Sequence, residues 1–261
     1  TDFTMYFQKG FFMINSNTFS NFNSKYPIYA DLHTHSISSG HGSEDTITDM
    51  IRCASESGLS LFGISDHGPA TSSSAKPSYF QSLKLADRDR FGIRVLYGAE
   101  LNIINTAGDV DLDDEILSAL DYAIISIHPP IFKPYHDKDL SSAYIRAMDH
   151  PKVRFLGHID DARFPVDFEY LLEIAKEKHV YPEINNGSLM PDAYRINGQE
   201  NCRRILSICK KLDLPVLLSS DSHGKKNIGN MQYIFPLLEE LDFPAHLVLN
   251  SDLSVLSEII Q

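Results

Sequence analysis

A parallel β/α barrel, closed or nearly closed, is the fold this sequence predicts. Three observations predict it. Seven short apolar runs alternate with longer amphipathic stretches from Tyr29 onward, the pattern of parallel strands with helical crossovers. The 261 residues suit one α/β barrel of about 250 residues as well as two small domains. Histidines and carboxylates recur where the strands end, and a barrel gathers such ends at one face, whereas an open sheet spreads them along a line.

The elements follow in order. Tyr29 to Leu32 reads as a strand, and Thr46 to Ser57 as a helix closed by Gly58. Leu61 to Ser65 is the second strand, followed by a Ser-rich loop at Thr71 to Ser74 and a helix over Ser78 to Asp87. Ile93 to Gly98 and Tyr122 to Ile127 are strands flanking a helix at Asp113 to Leu120. The helix Asp139 to Met148 and the strand Val153 to Leu156 come next, then the helix Val166 to Lys178 and the strand Val180 to Ile184. Gln199 to Leu212 is helical, Val216 to Ser220 is the seventh strand, and Met231 to Leu241 is the helix after it. Ser251 is placed to cap a last helix, Asp252 to Ile259. No internal repeat or long linker divides the chain. Residues 29–261 are expected to form the barrel, with 1–28 as an arm packed on the barrel exterior or on a partner subunit, or only loosely attached.

With 43% hydrophobic and 22% charged residues, the composition is that of a soluble globular protein. The formal net charge of −12 disfavours a long nucleic-acid track but not a small phosphorylated substrate, because bound cations dominate a local field. Cys53, Cys202 and Cys209 fit neither a zinc knuckle nor a disulfide framework, and read as thiols in a reducing cytoplasm. No run of 18 apolar residues spans a membrane, and the first residues lack a basic segment followed by an unbroken apolar core.

Seven of the eleven histidines sit at or just after a predicted strand end. The first strand runs into Asp31-Leu-His33-Thr-His35, with His41 shortly after; the second ends at Asp66-His67, the third at Glu100, the fourth at His128, the fifth at His158 and the seventh at Asp221-Ser-His223. The sixth ends without a histidine, at Glu183-Ile-Asn185-Asn186. Each piece alone has a bland reading: a loop pair, a helix cap, a solvated charge. Together they would put many imidazoles and carboxylates in one small volume, and burial without partners is costly. Divalent metals supply partners and neutralise the carboxylates. His136, His150, His179 and His246 fall in loops or on helices and read as surface residues.

This ordered set resembles the PHP (polymerase and histidinol phosphatase) family of metal-dependent phosphoesterases, over about Tyr29 to Gly229. The phrases Asp31-Leu-His-Thr-His, Ile64-Ser-Asp-His-Gly-Pro, Glu183-Ile-Asn-Asn and Ser220-Asp-Ser-His are similar to its small single-domain bacterial phosphatases. The resemblance implies a distorted (β/α)7 barrel with a trinuclear centre of divalent ions, zinc first, with manganese or iron as alternatives. It implies one ion on His33, His35, Glu100 and Asp221. Glu100 bridges to a second ion on His128 and His158, and a third sits on His41, His67 and His223. Ile159-Asp160 departs from the small residues or proline expected after His158.

In such a site a bridged metal pair lowers the pKa of a shared water, and hydroxide attacks phosphorus without a Ser or Cys nucleophile. Glu100, Asp221 and Asp66 are the candidate catalytic carboxylates. Asp66 either orients a ligand histidine or makes a purely structural hydrogen bond. Arg163, Arg195, Lys133 and Lys225, in loops after strands, either clamp phosphate or are solvated charges. Asn185 and Asn186 contact substrate or water, or serve as turn residues. The reading is a phosphomonoesterase of small phosphorylated metabolites. A phosphodiesterase or nuclease of the same family is the alternative. An amidohydrolase ranks below both, because the fourth strand carries no bridging lysine. A non-enzymatic zinc module ranks lower still, because closed structural sites are often thiolate-rich.

Overall fold

The computed structural model describes residues 23–129, 131–132 and 138–260. In chain order its elements are β1 (Ala30–Asp31), β2 (Thr34–His35), α1 (Ile47–Glu56), β3 (Leu61–Ile64), α2 (Pro77–Ser82), β4 (Asp89–Arg90) and β5 (Ile93–Asn102). Then come α3 (Asp114–Leu117), β6 (Tyr122–Ser126), α4 (Ser141–Ala147), β7 (Val153–Leu156), α5 (Phe168–Glu177) and β8 (Tyr181–Asn185). The chain ends with α6 (Gly198–Leu212), β9 (Leu217–Ser219), β10 (Ser222–His223), α7 (Phe235–Glu240) and α8 (Leu253–Ile260).

The main strands pair in parallel in the order β1-β3-β5-β6-β7-β8-β9, with β4 as an antiparallel partner of β5. Sequential order with a helix after each strand is the barrel arrangement the sequence predicts. Its distortion lies between the first and last strands. β1 and β9 do not pair; instead their continuations do, with Ser222 opposite Thr34 and His223 opposite His35. Below that bridge, the Asn250 side chain fills the seam. Its Oδ1 accepts from the Leu218 N–H, and its Nδ2 donates to the carbonyls of Leu218 and Ala30 at 2.7 and 2.8 Å. Asp31 adds a tie across the same seam, accepting from the Ser220 hydroxyl at 2.5 Å and from the Gly229 N–H at 2.8 Å. Asn250→Ala leaves three buried backbone groups without partners and is expected to lower stability by about 2–4 kcal/mol. An unchanged urea midpoint would show that the seam does not need this plug.

The inner core holds Ala30, Leu32, Leu61, Leu96, Tyr122, Ile124, Phe155 and Leu217, joined by Leu256 and Ile260 of α8. Tyr122 crosses the barrel and donates its hydroxyl to the Leu32 carbonyl at 2.5 Å. Gly63 and Gly98 make room for it: a Cβ at Gly63 would lie 2.3 Å from the Tyr122 hydroxyl, and one at Gly98 would lie 2.7 Å from its carbonyl. The outer core packs the helices on the sheet, and both Cys202 and Cys209 of α6 are buried in it.

Several elements differ from expectation. The first strand breaks at Leu32–His33. β5 runs on to Asn102, because its first half pairs with β3 and its second half with β6. Glu100 therefore sits inside a strand rather than at its end. The helices expected at 78–87, 113–120 and 231–241 shorten to α2, α3 and α7. The last helix is capped by Asp252, not Ser251: the Asp252 carboxylate accepts from the N–H groups of Ser254 and Val255, while Ser251 donates to the Pro27 carbonyl. Residues 23–28 are packed on the body: Tyr26 is buried and donates to the Leu238 and Phe243 carbonyls. The remainder of the predicted arm, up to residue 22, lies outside the described residues, as do Lys133 and His136. Among the described residues no helix is long and apolar enough to cross a membrane.

Candidate metal centre

The C-terminal strand ends deliver their polar side chains to one place. His33 and His35 flank the start of β2, and Glu100 comes from β5. His67 follows β3, His128 follows β6, and His158 follows β7. Asp221 and His223 arrive with β10. Two of these positions have left-handed backbone, His158 at φ 30° and Asp221 at φ 53°, which costs a non-glycine residue on the order of 1–3 kcal/mol. The surroundings hold His158 there: its N–H donates to Glu183 Oε2 at 2.7 Å.

Glu100 lies between two groups of imidazoles. Its Oε2 is 2.7 Å from His67 Nδ1, 3.3 Å from His33 Nε2 and 3.5 Å from His35 Nε2. Its Oε1 is 2.8 Å from His158 Nε2 and 3.2 Å from His128 Nε2. Asp221 Oδ1 faces His35 Nε2 at 3.1 Å and His33 Nε2 at 3.7 Å. His41 is exposed, with its ring 4.9 Å from that of His67 and 5.1 Å from that of His223. Among the described residues, three sets of ligand atoms lie within 4.8 Å of one another: His33, His35 and Glu100; His67, Glu100 and His128; and His35, His67 and His223.

His158 Nε2 is hydrogen-bonded to Glu100 Oε1 at 2.8 Å and to His128 Nε2 at 3.1 Å, but most of the other inner atoms approach without bonding. His33 Nε2, His35 Nε2, His67 Nδ1, His223 Nε2 and Glu100 Oε2 are all buried without a hydrogen-bond partner. A buried polar atom left unsatisfied costs about 1–3 kcal/mol. Five of them facing one another fit a shared cationic partner. Imidazole nitrogens and carboxylate oxygens are the donor set that suits zinc, manganese or iron. The residues therefore fit a multinuclear metal centre.

The other ring nitrogens support that fit. His33 Nδ1 donates to Glu183 Oε1 at 2.5 Å, which turns Nε2 inward as an acceptor. The Ser39 hydroxyl donates to Asp66 at 2.7 Å and so accepts from His35 Nδ1 at 3.0 Å. His128 Nδ1 donates to Asn102 Oδ1 at 2.8 Å, and the Asn102 amide donates to Asp111 at 2.7 Å. Each chain fixes one tautomer, as the outer partners of metal-binding histidines commonly do. Asp66 thus acts on His35 through Ser39, not directly, and also accepts from Ser36 and Tyr79. Glu183, Ser39, Asn102 and Asp111 received no role from sequence. Glu183 left its traces only as the residue opening the end of the sixth strand and the phrase Glu183-Ile-Asn-Asn.

The electrostatics follow from the same contacts. Burial opposes ionisation of Glu100, but His128, His33 and His67 outweigh it and hold its pKa well below the usual range. Burial likewise opposes charge on Asp221, and His33 and Arg195 overcome it. Burial, then repulsion from His67 and His223, pushes His35 well down, and burial lowers His128 despite Glu100. Ionised carboxylates and neutral imidazoles are the forms that bind metal, which His35 and His128 favour; at His33 burial is outweighed by Glu183, Glu100 and Asp221, which hold its pKa well above the usual range, so a metal there would displace a proton.

The candidate substrate residues divide. Arg195 is nearly buried and places Nη2 2.7 Å from Asp221 Oδ2, and the Asn185 amide donates to the same oxygen at 3.0 Å. Both act on Asp221 and leave its Oδ1 toward the histidines. Arg163 is held by Asp161 through Nε at 2.9 Å. Lys225 pairs with Asp45 at 3.0 Å on the surface. Asn186 accepts from the Tyr233 N–H, a structural tie. His150 and His246 pair with Asp114 and Asp213 away from the centre. The unusual Ile159-Asp160 pair is buried, with both Asp160 oxygens unpartnered and burial raising its pKa to about 6.

The chain is similar to known proteins over most of its length. The PHP domain family matches residues 31–187. A protein of Clostridium acetobutylicum named a probable phosphatase is 37% identical over 222 residues, 85% of this chain and 90% of its own. One from Acetivibrio thermocellus with the same description is 34% identical over 231 residues, covering 88% and 94%. The fold also matches the crystal structure of a Lactococcus lactis histidinol phosphate phosphatase complexed with zinc, L-histidinol and phosphate. That match has a TM-score of 0.57 and 21% identity, over 82% of this chain and 94% of that one.

Proposed function

Because the chain belongs to the PHP domain family, we propose that it is a metal-dependent phosphomonoesterase acting on a small phosphorylated metabolite at a three-ion centre. The convergence of buried, unpartnered imidazole and carboxylate atoms around Glu100 carries this reading. His33, His35, Glu100 and Asp221 would hold one ion, Glu100, His128 and His158 a second, and His41, His67 and His223 a third. Zinc is the first candidate, ahead of manganese and iron. Such ions supply Lewis acidity towards phosphoryl oxygens and acidify water towards neutrality.

The chain's own residues prepare that chemistry. Glu183, Ser39 and Asn102 hold protons on the outer nitrogens of His33, His35 and His128, so the inner nitrogens stay free. Arg195 and Asn185 occupy Asp221 Oδ2 and keep that carboxylate turned by its other oxygen. Arg163, already fixed by Asp161 and near the same rim, is the cation proposed to meet the phosphate, with Lys225 as a more peripheral one. The free cysteines suit a reducing cytoplasm.

Protein purified without added metal or chelator should contain near three transition-metal ions per chain by elemental mass spectrometry. Metal-loaded protein should release phosphate from a panel of monoesters well above a His33→Ala control. No release above that control would overturn the reading. Chelation should also lower the melting temperature by about 10 °C. Ligands at 1,000 times their Kd stabilise by about 4 kcal/mol, and each kcal/mol moves a chain of this size by about 2–4 °C. A melting temperature indifferent to chelator would mean that no ion is held in the folded state.

A further inference from the structure

The loop from β8 to α6 brings an exposed ring to the rim of the centre. Tyr194 is 60% exposed and Ile196 49% exposed, while the Arg195 side chain between them is only 6% exposed. Side chains thus alternate outward, inward, outward. The inward one reaches Asp221 Oδ2, whose sister oxygen lies 3.1 Å from His35. Tyr194 is therefore one residue from a side chain that touches the centre.

The ring is also held in place. The Arg163 guanidinium carbon lies 4.8 Å from its centroid and that of Arg195 lies 5.4 Å away. Arg163 is itself fixed by Asp161. The loop is tied to the segment after β7, where the Ala162 N–H donates to the Ile196 carbonyl at 2.9 Å. A single exposed apolar residue needs no explanation, but this ring is exposed, braced by two cations and set at the catalytic end of the barrel. Aromatic faces held rigid beside a charged site take planar groups by stacking.

We propose that Tyr194, with Ile196 beside it, is a specificity-determining platform that takes a planar, ring-bearing leaving group of the phosphate ester. The inference rests on the phosphomonoesterase reading. In that hydrolysis the oxygen of water bonds to phosphorus, the ester P–O bond breaks, and the ring-bearing alcohol leaves with a proton from the water. Phosphate stays on the metal side, and the ring of the alcohol lies over Tyr194.

The test compares kcat/KM for phenyl phosphate and glycerol 3-phosphate in the wild type, Tyr194→Ala and Tyr194→Phe, each with its metal content measured. Tyr194→Ala should lose about tenfold on phenyl phosphate, mainly in KM, and change less than about twofold on glycerol 3-phosphate. Tyr194→Phe keeps the ring and should match the wild type on both. An equal loss on both esters, no loss on either, or a Tyr194→Phe protein that behaves like Tyr194→Ala would overturn the platform. A metal-loaded wild type that hydrolyses neither ester nor any other monoester would instead overturn the phosphatase reading, and the platform with it.

Discussion

Glu100→Gln is expected to lose metal on both sides of the carboxylate and to lower kcat/KM by far more than the roughly 10- to 100-fold that loss of an outer partner costs. Glu100 Oε2 faces His33, His35 and His67, while Oε1 faces His128 and His158. Glutamine keeps the shape, so the change isolates the charge. Its amide nitrogen can also donate to an inner imidazole nitrogen, blocking an atom that would otherwise bind metal. The protein should fold, because that hydrogen bond satisfies groups now left orphaned. Elemental analysis and steady-state kinetics check this, and unchanged metal content with unchanged activity would refute the bridging role proposed for Glu100.

Glu183→Ala should give the largest loss of stability, about 3–5 kcal/mol by denaturant unfolding. Glu183 is fully buried and accepts from His33 Nδ1, the His158 N–H, the Ser219 hydroxyl and the Asn185 amide. Alanine strands the first three, while the Asn185 amide keeps its bond to Asp221. Metal affinity should fall about 10- to 100-fold, because His33 loses the proton acceptor that fixes its tautomer. Glu183→Gln should recover more of the stability than of the affinity. Stability within about 1 kcal/mol of wild type in the alanine protein would refute the role.

The pH dependence has a definite sign. Burial opposes charge on Glu183, but His33 outweighs it and the folded pKa lies below 4.5. The stabilisation is therefore full above the unfolded value and disappears as acid reaches the folded one. Part of the acid-unfolding slope should vanish in Glu183→Gln.

Much of the site was legible in the sequence because its signal is local. A histidine or carboxylate at the end of an apolar run is visible from the run itself. Parallel strands then imply a common face, which is how His33, His35, His67, Glu100, His128, His158, Asp221 and His223 were grouped. His41 was placed by resemblance, and the fold brings its ring near His67 and His223. Arg195 looked like a surface phosphate clamp because an arginine in a polar loop carries no mark of burial. Only the fold turns it toward Asp221.

The sequence by itself determined the alternation of strands and helices and which residue types meet at the strand ends, because side-chain periodicity and strand direction follow from backbone geometry. Only the tertiary structure decided how the barrel closes, with β2 pairing β10 and Asn250 filling the seam below. It also decided which residues orient the candidate ligands: Ser39 between Asp66 and His35, Asn102 between Asp111 and His128, and Glu183 behind His33. The physical reason is directional. A hydrogen bond depends on distances of a few tenths of an ångström between residues 150 positions apart for His33 and Glu183 and 220 apart for Ala30 and Asn250, and no local pattern encodes such a distance.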